Sequence, residues 1–363
     1  MKKILFAAAT LDVGGIETAL VTLLNYLAQE NKYDITLVLE KKQGIFLNDL
    51  NSNINVIEYS PSKNKIVLIR KFENFIKQRL FSMKYKNKFD FAAAYATYSK
   101  PAVFVAQTAS KNSCLFGHMD YLAQFKGNEE ELKKYFEERK ARDFKNIVFV
   151  SKAGKNSFLK SFPELKDRTH AINNLIDYKK IIKSSNEMIP EVDDDIITFV
   201  NVGRHDEEQK KLSRIIEASK KLKDDGLEFR VLFVGDGKDR AEYEKQVKDL
   251  GLEDEIIFLG KRRNPYPFYK LADAVVLSSD YEGYPVVFIE SMVLGKPIIT
   301  TDVSDYEDVK GKYGVVCEKN SDSLYKAMKD FVTNEFIKTD EFNPEKFNQN
   351  IIEKLEKIIK EED

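Results

Sequence analysis

A chain of 363 residues is longer than one hydrophobic core normally serves, and its 43% apolar content is enough to pack two, so two domains are the leading expectation. The 58 Lys and Arg residues are matched by 59 Asp and Glu, a net charge of −1 that argues against a protein built mainly to coat nucleic acid. Two cysteines, Cys114 and Cys317, lie far apart with no paired spacing, so the chain reads as reduced and intracellular and holds no thiolate metal cage.

Met1-Lys2-Lys3 and the apolar residues 4–9 look superficially like a secretion signal. The run is short, however, and Asp12 and Gly14-Gly15 follow at once, which fits a buried strand entering a tight turn. Nowhere does an uncharged apolar run approach the ~20 residues that a spanning helix needs, so any membrane contact is expected to be peripheral. Ile16, Ala19, Leu20, Leu23, Leu24 and Leu27 repeat at helical spacing, and an apolar strand follows at 35–39. Gly14-Gly15 stands between that first strand and helix, where bare backbone N–H groups can meet a phosphate; a plain βα turn explains the pair equally well. Glu17, one turn in, suits the helix dipole and is assigned a structural role.

Residues 66–88 carry Leu68, Phe72, Phe75, Ile76, Leu80 and Met83 at helical spacing, with Arg70, Lys71, Lys77, Arg79, Lys84, Lys86 and Lys88 against a single acid, Glu73. Such a helix can lie on an anionic membrane surface, or its apolar side can be ordinary core. Continuously apolar runs at 89–95, 113–117 and 147–150 suit parallel strands covered on both faces. His118 ends the second of these, where a strand-end loop would face ligand, although a lone histidine is more often a structural hydrogen-bonder. Three histidines, His118, His170 and His205, are too scattered for metal-ligand spacing, and no metal is expected.

Residues 183–195, with Ser184, Ser185, Asn186, Pro190 and three consecutive aspartates, read as a linker. Beyond them strand and helix patterns alternate again at 196–202, 212–222, 229–234, 241–250, 256–259, 274–277 and 297–300. The expectation is therefore an α/β protein of two Rossmann-like domains, 1–185 and 186–344, with a ligand cleft between them. A terminal amphipathic helix at about 345–363, carrying Ile351, Ile352, Leu355, Ile358 and Ile359, would pack back on one of them, the first being the leading choice.

Three strand-end loops of the second half could carry chemistry. Gly203-Arg204-His205-Asp206-Glu207-Glu208-Gln209-Lys210-Lys211 offers a planar guanidinium and movable ammonium groups, a clamp for a diphosphate or else a solvated loop. Gly260-Lys261-Arg262-Arg263-Asn264-Pro265 is a second basic loop, and Val234-Gly235-Asp236-Gly237 is either a close backbone approach or simply a turn. Glu282 and Glu290 flank a helix start that Pro285 opens and Gly295 with Pro297 closes. Glu290 falls among Val287, Ile289, Met292 and Val293, where an ionised carboxylate needs donors that a hydroxyl-rich ligand would supply. Neither Gly-x-Gly-x-x-Gly nor a Walker-type loop opens either half, which removes the main signatures of dinucleotide redox chemistry and P-loop hydrolysis.

In this order the pieces resemble the retaining glycosyltransferases of the GT-B fold, specifically the GT4 family that includes many bacterial polysaccharide and lipid glycosyltransferases. The resemblance rests on Glu282 and Glu290 at the glutamate, seven residues, glutamate spacing, Asn201-Val202-Gly203-Arg204 with Lys210, the loop ending Asn264-Pro265-Tyr266-Pro267, Val150-Ser151 ahead of Asn173-Asn174-Leu175-Ile176-Asp177, and Gly14-Gly15. It implies that Arg204 and Lys210 hold the diphosphate of a nucleotide-sugar, that Glu290 accepts from the ribose hydroxyls, and that Glu282 contacts the transferred sugar. Gly203, Arg263, Gly283, Tyr284, Pro285, Val286 and Val287 would complete the donor site, with Gly15 approaching from the first domain and His118 beside the sugar. Lys210-Lys211 departs from the usual single lysine and leaves the phosphate ligand open between the two.

The expected activity is metal-independent hexosyl transfer from a nucleoside diphosphate sugar, most simply a UDP-sugar, to a glycan or lipid-linked glycan, in bacterial cell-surface polysaccharide synthesis. No cofactor and no nucleic acid is expected. The expected location is cytoplasmic, at the inner membrane face if residues 66–88 touch lipid. A UDP-sugar 2-epimerase of the same architecture and a non-catalytic transferase-like subunit are the alternatives.

Overall fold

The computed structural model describes residues 1–12, 14–188, 196–333 and 339–360. Met1–Ile176 together with Lys346–Asp363 form one compact unit, and Asp177–Glu345 form the second.

In unit 1, β1 (Lys2–Ala8), α1 (Gly15–Gln29), β2 (Tyr33–Leu39), β3 (Asn55–Glu58), α2 (Val67–Tyr85), β4 (Phe91–Ala94), α3 (Lys100–Ala109), β5 (Ser113–Gly117), α4 (Tyr121–Gln124), α5 (Glu129–Glu137), β6 (Asn146–Phe149), α6 (Lys152–Ser161) and β7 (Thr169–Ala171) follow one another. All seven strands are parallel, in the order β3-β2-β1-β4-β5-β6-β7. Side chains of β1 alternate between faces. Ile4 and Phe6 pack with Leu20, Leu24 and Leu27 of α1, while Leu5 and Ala7 pack with Ala102 and Ala106 of α3 and the cluster around Phe136, Phe149 and Phe158.

Unit 2 comprises α7 (Tyr178–Ser184), β8 (Thr198–Val202), α8 (Leu212–Asp224), β9 (Arg230–Val234), α9 (Arg240–Asp249), β10 (Ile256–Gly260), α10 (Tyr266–Leu271), β11 (Ala274–Leu277), α11 (Val286–Val293), β12 (Ile298–Thr301), β13 (Gly314–Cys317) and α12 (Ser321–Val332). Its six strands are also parallel, ordered β10-β9-β8-β11-β12-β13. The chain then enters α13 (Pro344–Lys360), whose Ile351, Leu355, Ile358 and Ile359 are buried in the unit 1 core. At roughly 1.5–3 kcal/mol per buried aliphatic side chain before ordering costs, that stripe holds the terminal helix on the unit 1 core. Asn348 secures the junction, donating to the Ile176 carbonyl at 2.8 Å and accepting from its N–H at 3.1 Å.

The structure moves the expected domain boundary at 185/186 to Ile176/Asp177. Residues 178–184 are helical, capped by the Asp177 side chain on Lys180 N–H, and pack against α10 and α11 of unit 2. Asn264 adds a bond to the Ser184 carbonyl at 2.8 Å. Residues 189–195 of the expected linker, including Pro190 and the three aspartates, lie outside the described residues, as do 361–363.

α2 is not a core helix. Leu68, Phe72, Phe75, Leu80 and Met83 form one stripe that faces solvent, and Phe81 on the opposite side is the buried side chain of the helix, set against Tyr59, Tyr85 and Phe104. Met83 is 77% exposed and Leu68 78%.

Candidate active site

The unit 2 sheet ends in two loops that are bonded to each other. After β8, Gly203 donates to the Val234 carbonyl at 3.0 Å, and the chain closes a turn in which Lys210 N–H meets the Asp206 carbonyl at 2.7 Å. After β11, Asp280 N–H donates to the Gln209 carbonyl at 2.8 Å, and the Ser278 hydroxyl bonds the Lys210 and Lys211 carbonyls at 2.9 and 2.8 Å. Arg214 of α8 clamps the second loop through Asp280 at 2.6 Å and the Ser278 carbonyl at 2.9 Å.

This stitching brings Lys210 to Glu282. Lys210 Nζ lies 2.5 Å from Glu282 Oε1, which also accepts from the Ser279 hydroxyl at 2.8 Å. Gln209 is buried and joins the parts: its Nε2 donates to the Tyr281 carbonyl at 3.2 Å and Glu282 Oε2 at 3.5 Å, while its Oε1 accepts from Arg204 Nη2 at 3.1 Å. Arg204 is held at its tip yet 65% exposed, a guanidinium with most of its donors facing water. Lys211 points elsewhere. It occupies the left-handed region (φ 51°) as the residue before α8 and pairs with Glu207 at 3.3 Å. The geometry therefore places Lys210, rather than Lys211, with Glu282.

Pro285 stands one position earlier than expected: its ψ of 115° is extended, so it caps α11 instead of opening it. Gly295 follows the helix at φ +65°, the left-handed stop that its sequence suggested. Gly283 and Pro285 are buried, Val287 is half-buried and Val286 is exposed. Tyr284 turns its ring inward, edge-on to Phe288 at 6.2 Å, so this position can offer a ligand its backbone and not its phenol.

Glu290 projects from α11 towards α10. The Tyr269 hydroxyl donates to its Oε2 at 2.7 Å and the Tyr266 hydroxyl to its Oε1 at 3.2 Å, so protein phenols, not a ligand alone, meet the partly buried carboxylate. Burial pushes the Glu290 carboxyl above its ordinary value, against the two phenols that hold it down. Both tyrosines are raised by their own burial and remain protonated donors. Each carboxylate oxygen keeps a second lone pair for a ligand hydroxyl. Arg263, in the loop before α10, is exposed.

Gly235 does make a close approach: a Cβ there would stand 1.8 Å from the Gly203 carbonyl oxygen, and one on Gly237 would stand 2.1 Å from that of His205. His205 is not a site residue. Its ring is fully buried among Phe233, Tyr243 and Phe258, neither ring nitrogen has a hydrogen-bond partner, and burial lowers its pKa.

The two expected site residues of unit 1 have distinct surroundings. His118 is buried at the end of β5, its Nε2 at 2.7 Å from the Tyr95 carbonyl and its ring against that of Tyr95 at 4.7 Å. Nδ1 has no partner, and burial lowers the imidazole pKa to about 4, so a neutral ring is held there. Gly15 opens α1 with free space where a side chain would stand. The Glu17 carboxylate already occupies the space beside Gly14 and accepts from the Tyr98 hydroxyl at 2.9 Å. That supports its structural role.

Reasoning from sequence missed Gln209, Ser279, Tyr266 and Tyr269. The tyrosines carried a signal, since positions three apart in a helix share a face and could have been matched to a buried carboxylate. Gln209 carried none, because its partners are set by the bond between two loops. Among the described residues, no group of three or more His, Cys, Asp or Glu side chains is gathered as a metal site, and no helix is long and apolar enough to cross a membrane.

Two parallel sheets of seven and six strands with helices give the chain the GT-B fold of its structural neighbours. Anabaena HepE, solved with UDP and glucose, is similar over 98% of this chain and 100% of that one, with a TM-score of 0.75 at 18% identity. The lipopolysaccharide outer core galactosyltransferase WaaB is similar over 99% of each chain, with a TM-score of 0.72 at 16% identity. Residues 183–357 match the family model described as glycosyl transferases group 1. An uncharacterized glycosyltransferase of Methanocaldococcus jannaschii is 26% identical over 194 residues, 48% of either chain, so the match spans about half the length of that curated relative. Together these findings show the GT-B fold for the chain and a likeness of residues 183–357 to the glycosyl transferases of group 1.

Proposed function

We propose that the protein transfers a hexose from a UDP-sugar to a hydroxyl of a glycan or lipid-linked glycan, with retention at the anomeric carbon, as a step of cell-surface polysaccharide synthesis. The observation that carries this reading is the cluster Arg204–Gln209–Glu282–Lys210, two cations and a carboxylate tied together at the carboxyl ends of β8 and β11, where open parallel sheets bind ligands. The UDP and UDP-glucose complexes of HepE support the choice of donor.

In this reading Arg204 and Lys210 take the diphosphate, with Gly203 and Arg263 beside it, and the N–H groups of residues 283–287 face sugar and phosphate. Glu290, oriented by Tyr266 and Tyr269, accepts from the ribose. Glu282 receives a sugar hydroxyl, and Gly15 and His118 of unit 1 serve the transferred sugar. The bond from the anomeric carbon to the phosphate oxygen breaks while a bond to the acceptor oxygen forms on the same face. The acceptor proton passes to the leaving phosphate, whose growing charge Arg204 and Lys210 stabilise, each good donor contributing roughly 3–4 kcal/mol. Glu282 is already engaged by Lys210, Ser279 and Gln209, which supports a role other than free nucleophile. In this reading Arg204 and Lys210 take the role that a metal ion would otherwise play.

The acceptor side of the proposal rests on α2. A solvent-facing apolar stripe flanked by seven basic residues and one acid matches an anionic bilayer surface, which supports a reaction at the cytoplasmic membrane face.

Thermal-shift titration with UDP-, GDP- and dTDP-hexoses tests the reading, UDP-sugars being expected to raise the melting temperature most. Conversion of the sugar with no acceptor present would point instead to an epimerase. Absence of any nucleotide-dependent shift would refute the donor site.

A further inference from the structure

The carboxyl ends of β1, β2 and β3 in unit 1 surround a cavity of about 270 Å3 that none of the donor residues line. Thr10, Glu40, Lys41, Ser60, Ser62 and Lys63 form its walls. Among the described residues neither Lys41 nor Lys63 has a carboxylate ion-pair partner, and the Lys41 ammonium, close beside it, pushes the Lys63 ammonium below its ordinary value. Glu40 is the acid of the lining, and its carboxylate accepts from the Ser99 hydroxyl at 2.5 Å. Two ammonium groups side by side repel unless an anion stands between them.

This wall is continuous with α2. Lys77 Nζ donates to the Ser60 carbonyl at 2.8 Å, Asn74 accepts from Ser62 N–H at 2.6 Å, and Glu73 takes the Ser62 hydroxyl. The segment that carries Lys63 is thus lashed to the helix whose apolar stripe faces solvent.

We propose that the Lys41–Lys63 cavity binds the phosphate head group of an anionic lipid whose apolar chains lie over α2. The cavity supplies the paired charges of Lys41 and Lys63 with the hydroxyls of Thr10 and Ser60 for phosphate oxygens, Ser62 being engaged by Glu73, and the helix supplies Leu68, Phe72, Phe75 and Leu80 for hydrocarbon. A second copy of this chain is a poorer occupant, because its own basic helix would repel the first. The inference rests on the reading of α2 as the membrane-facing element and deepens it by naming a discrete headgroup site.

The test is sedimentation of the full chain with phosphatidylcholine vesicles with and without phosphatidic acid. K41Q/K63Q is compared with K84Q/K86Q, which removes the same charge from the far end of the basic segment. The pocket variant is expected to bind phosphatidic acid vesicles about tenfold or more weakly, the distal variant to lose clearly less, and K41R/K63R to recover. Equal losses in the two glutamine variants would mean diffuse attraction and overturn the site, as would wild-type binding by K41Q/K63Q. If inorganic phosphate shifts the melting temperature of the wild type while K41Q/K63Q still binds vesicles normally, the pocket serves a soluble phosphate and the lipid assignment falls. UDP-induced thermal shifts, expected to be unchanged in all variants, keep the outcome separate from that of the donor site.

Discussion

Lys210 Nζ stands 2.5 Å from Glu282 Oε1, so the cation proposed to grip a diphosphate is neutralised by the carboxylate proposed to meet the sugar. Without donor, the pair limits the cost of two largely buried charges. In the proposed donor complex, the diphosphate would compete with Glu282 for Lys210.

Glu282→Gln is therefore expected to separate binding from turnover. Removing the competing charge should tighten UDP binding several-fold, about 1 kcal/mol, while transfer falls by roughly tenfold to a thousandfold because the sugar loses its charged acceptor. Calorimetric UDP titration beside a transfer assay measures both, and weaker UDP binding would contradict the arrangement.

Gln209 joins Arg204 to Glu282 through its two ends. Gln209→Leu keeps the volume and removes both bonds, which should lower transfer roughly tenfold through a misplaced guanidinium. Gln209→Glu should retain the bond to Arg204 and place a second carboxylate beside Glu282, weakening UDP binding. Equal kinetics for all three proteins would show that the bridge is incidental.

His118 gives a pH dependence of definite sign. Its folded pKa is about 4 against an unfolded value near 6.5, so its contribution to stability is fully present above about pH 6.5 and is lost as pH falls towards 4. The full loss is on the order of 3 kcal/mol. Denaturant melts of wild type and His118→Gln between pH 7 and 4 should converge as pH falls, and parallel curves would contradict the buried neutral imidazole.

Phe72 and Phe75 are exposed, so Phe72→Ser with Phe75→Ser should leave the melting temperature within a few degrees of wild type. Anionic vesicle binding should fall steeply in the same protein. A large loss of stability would show that α2 packs on the fold.

Much of the architecture was legible because buried parallel strands are continuously apolar: residues 113–117 and 274–277 matched β5 and β11 to the residue. β3 and β7 were not, since edge strands carry Asn55, Glu58 and His170 and have one neighbour to satisfy. The positions of Glu282 and Glu290 followed from helix start and stop residues, but their partners did not. Tyr266 and Gln209 lie 24 and 73 residues away from the carboxylates that they serve. Whether the stripe of α2 faced core or water was likewise open, because periodicity defines a face without saying what covers it.

The central claim is that Arg204 and Lys210 stabilise a departing diphosphate. Transfer by Arg204→Ala at saturating UDP-sugar tests it most directly, beside Arg263→Ala from the exposed neighbouring loop. A fall of at least about a hundredfold in the Arg204 variant, greater than in the Arg263 variant, is the expected result, and full activity of Arg204→Ala would contradict the claim.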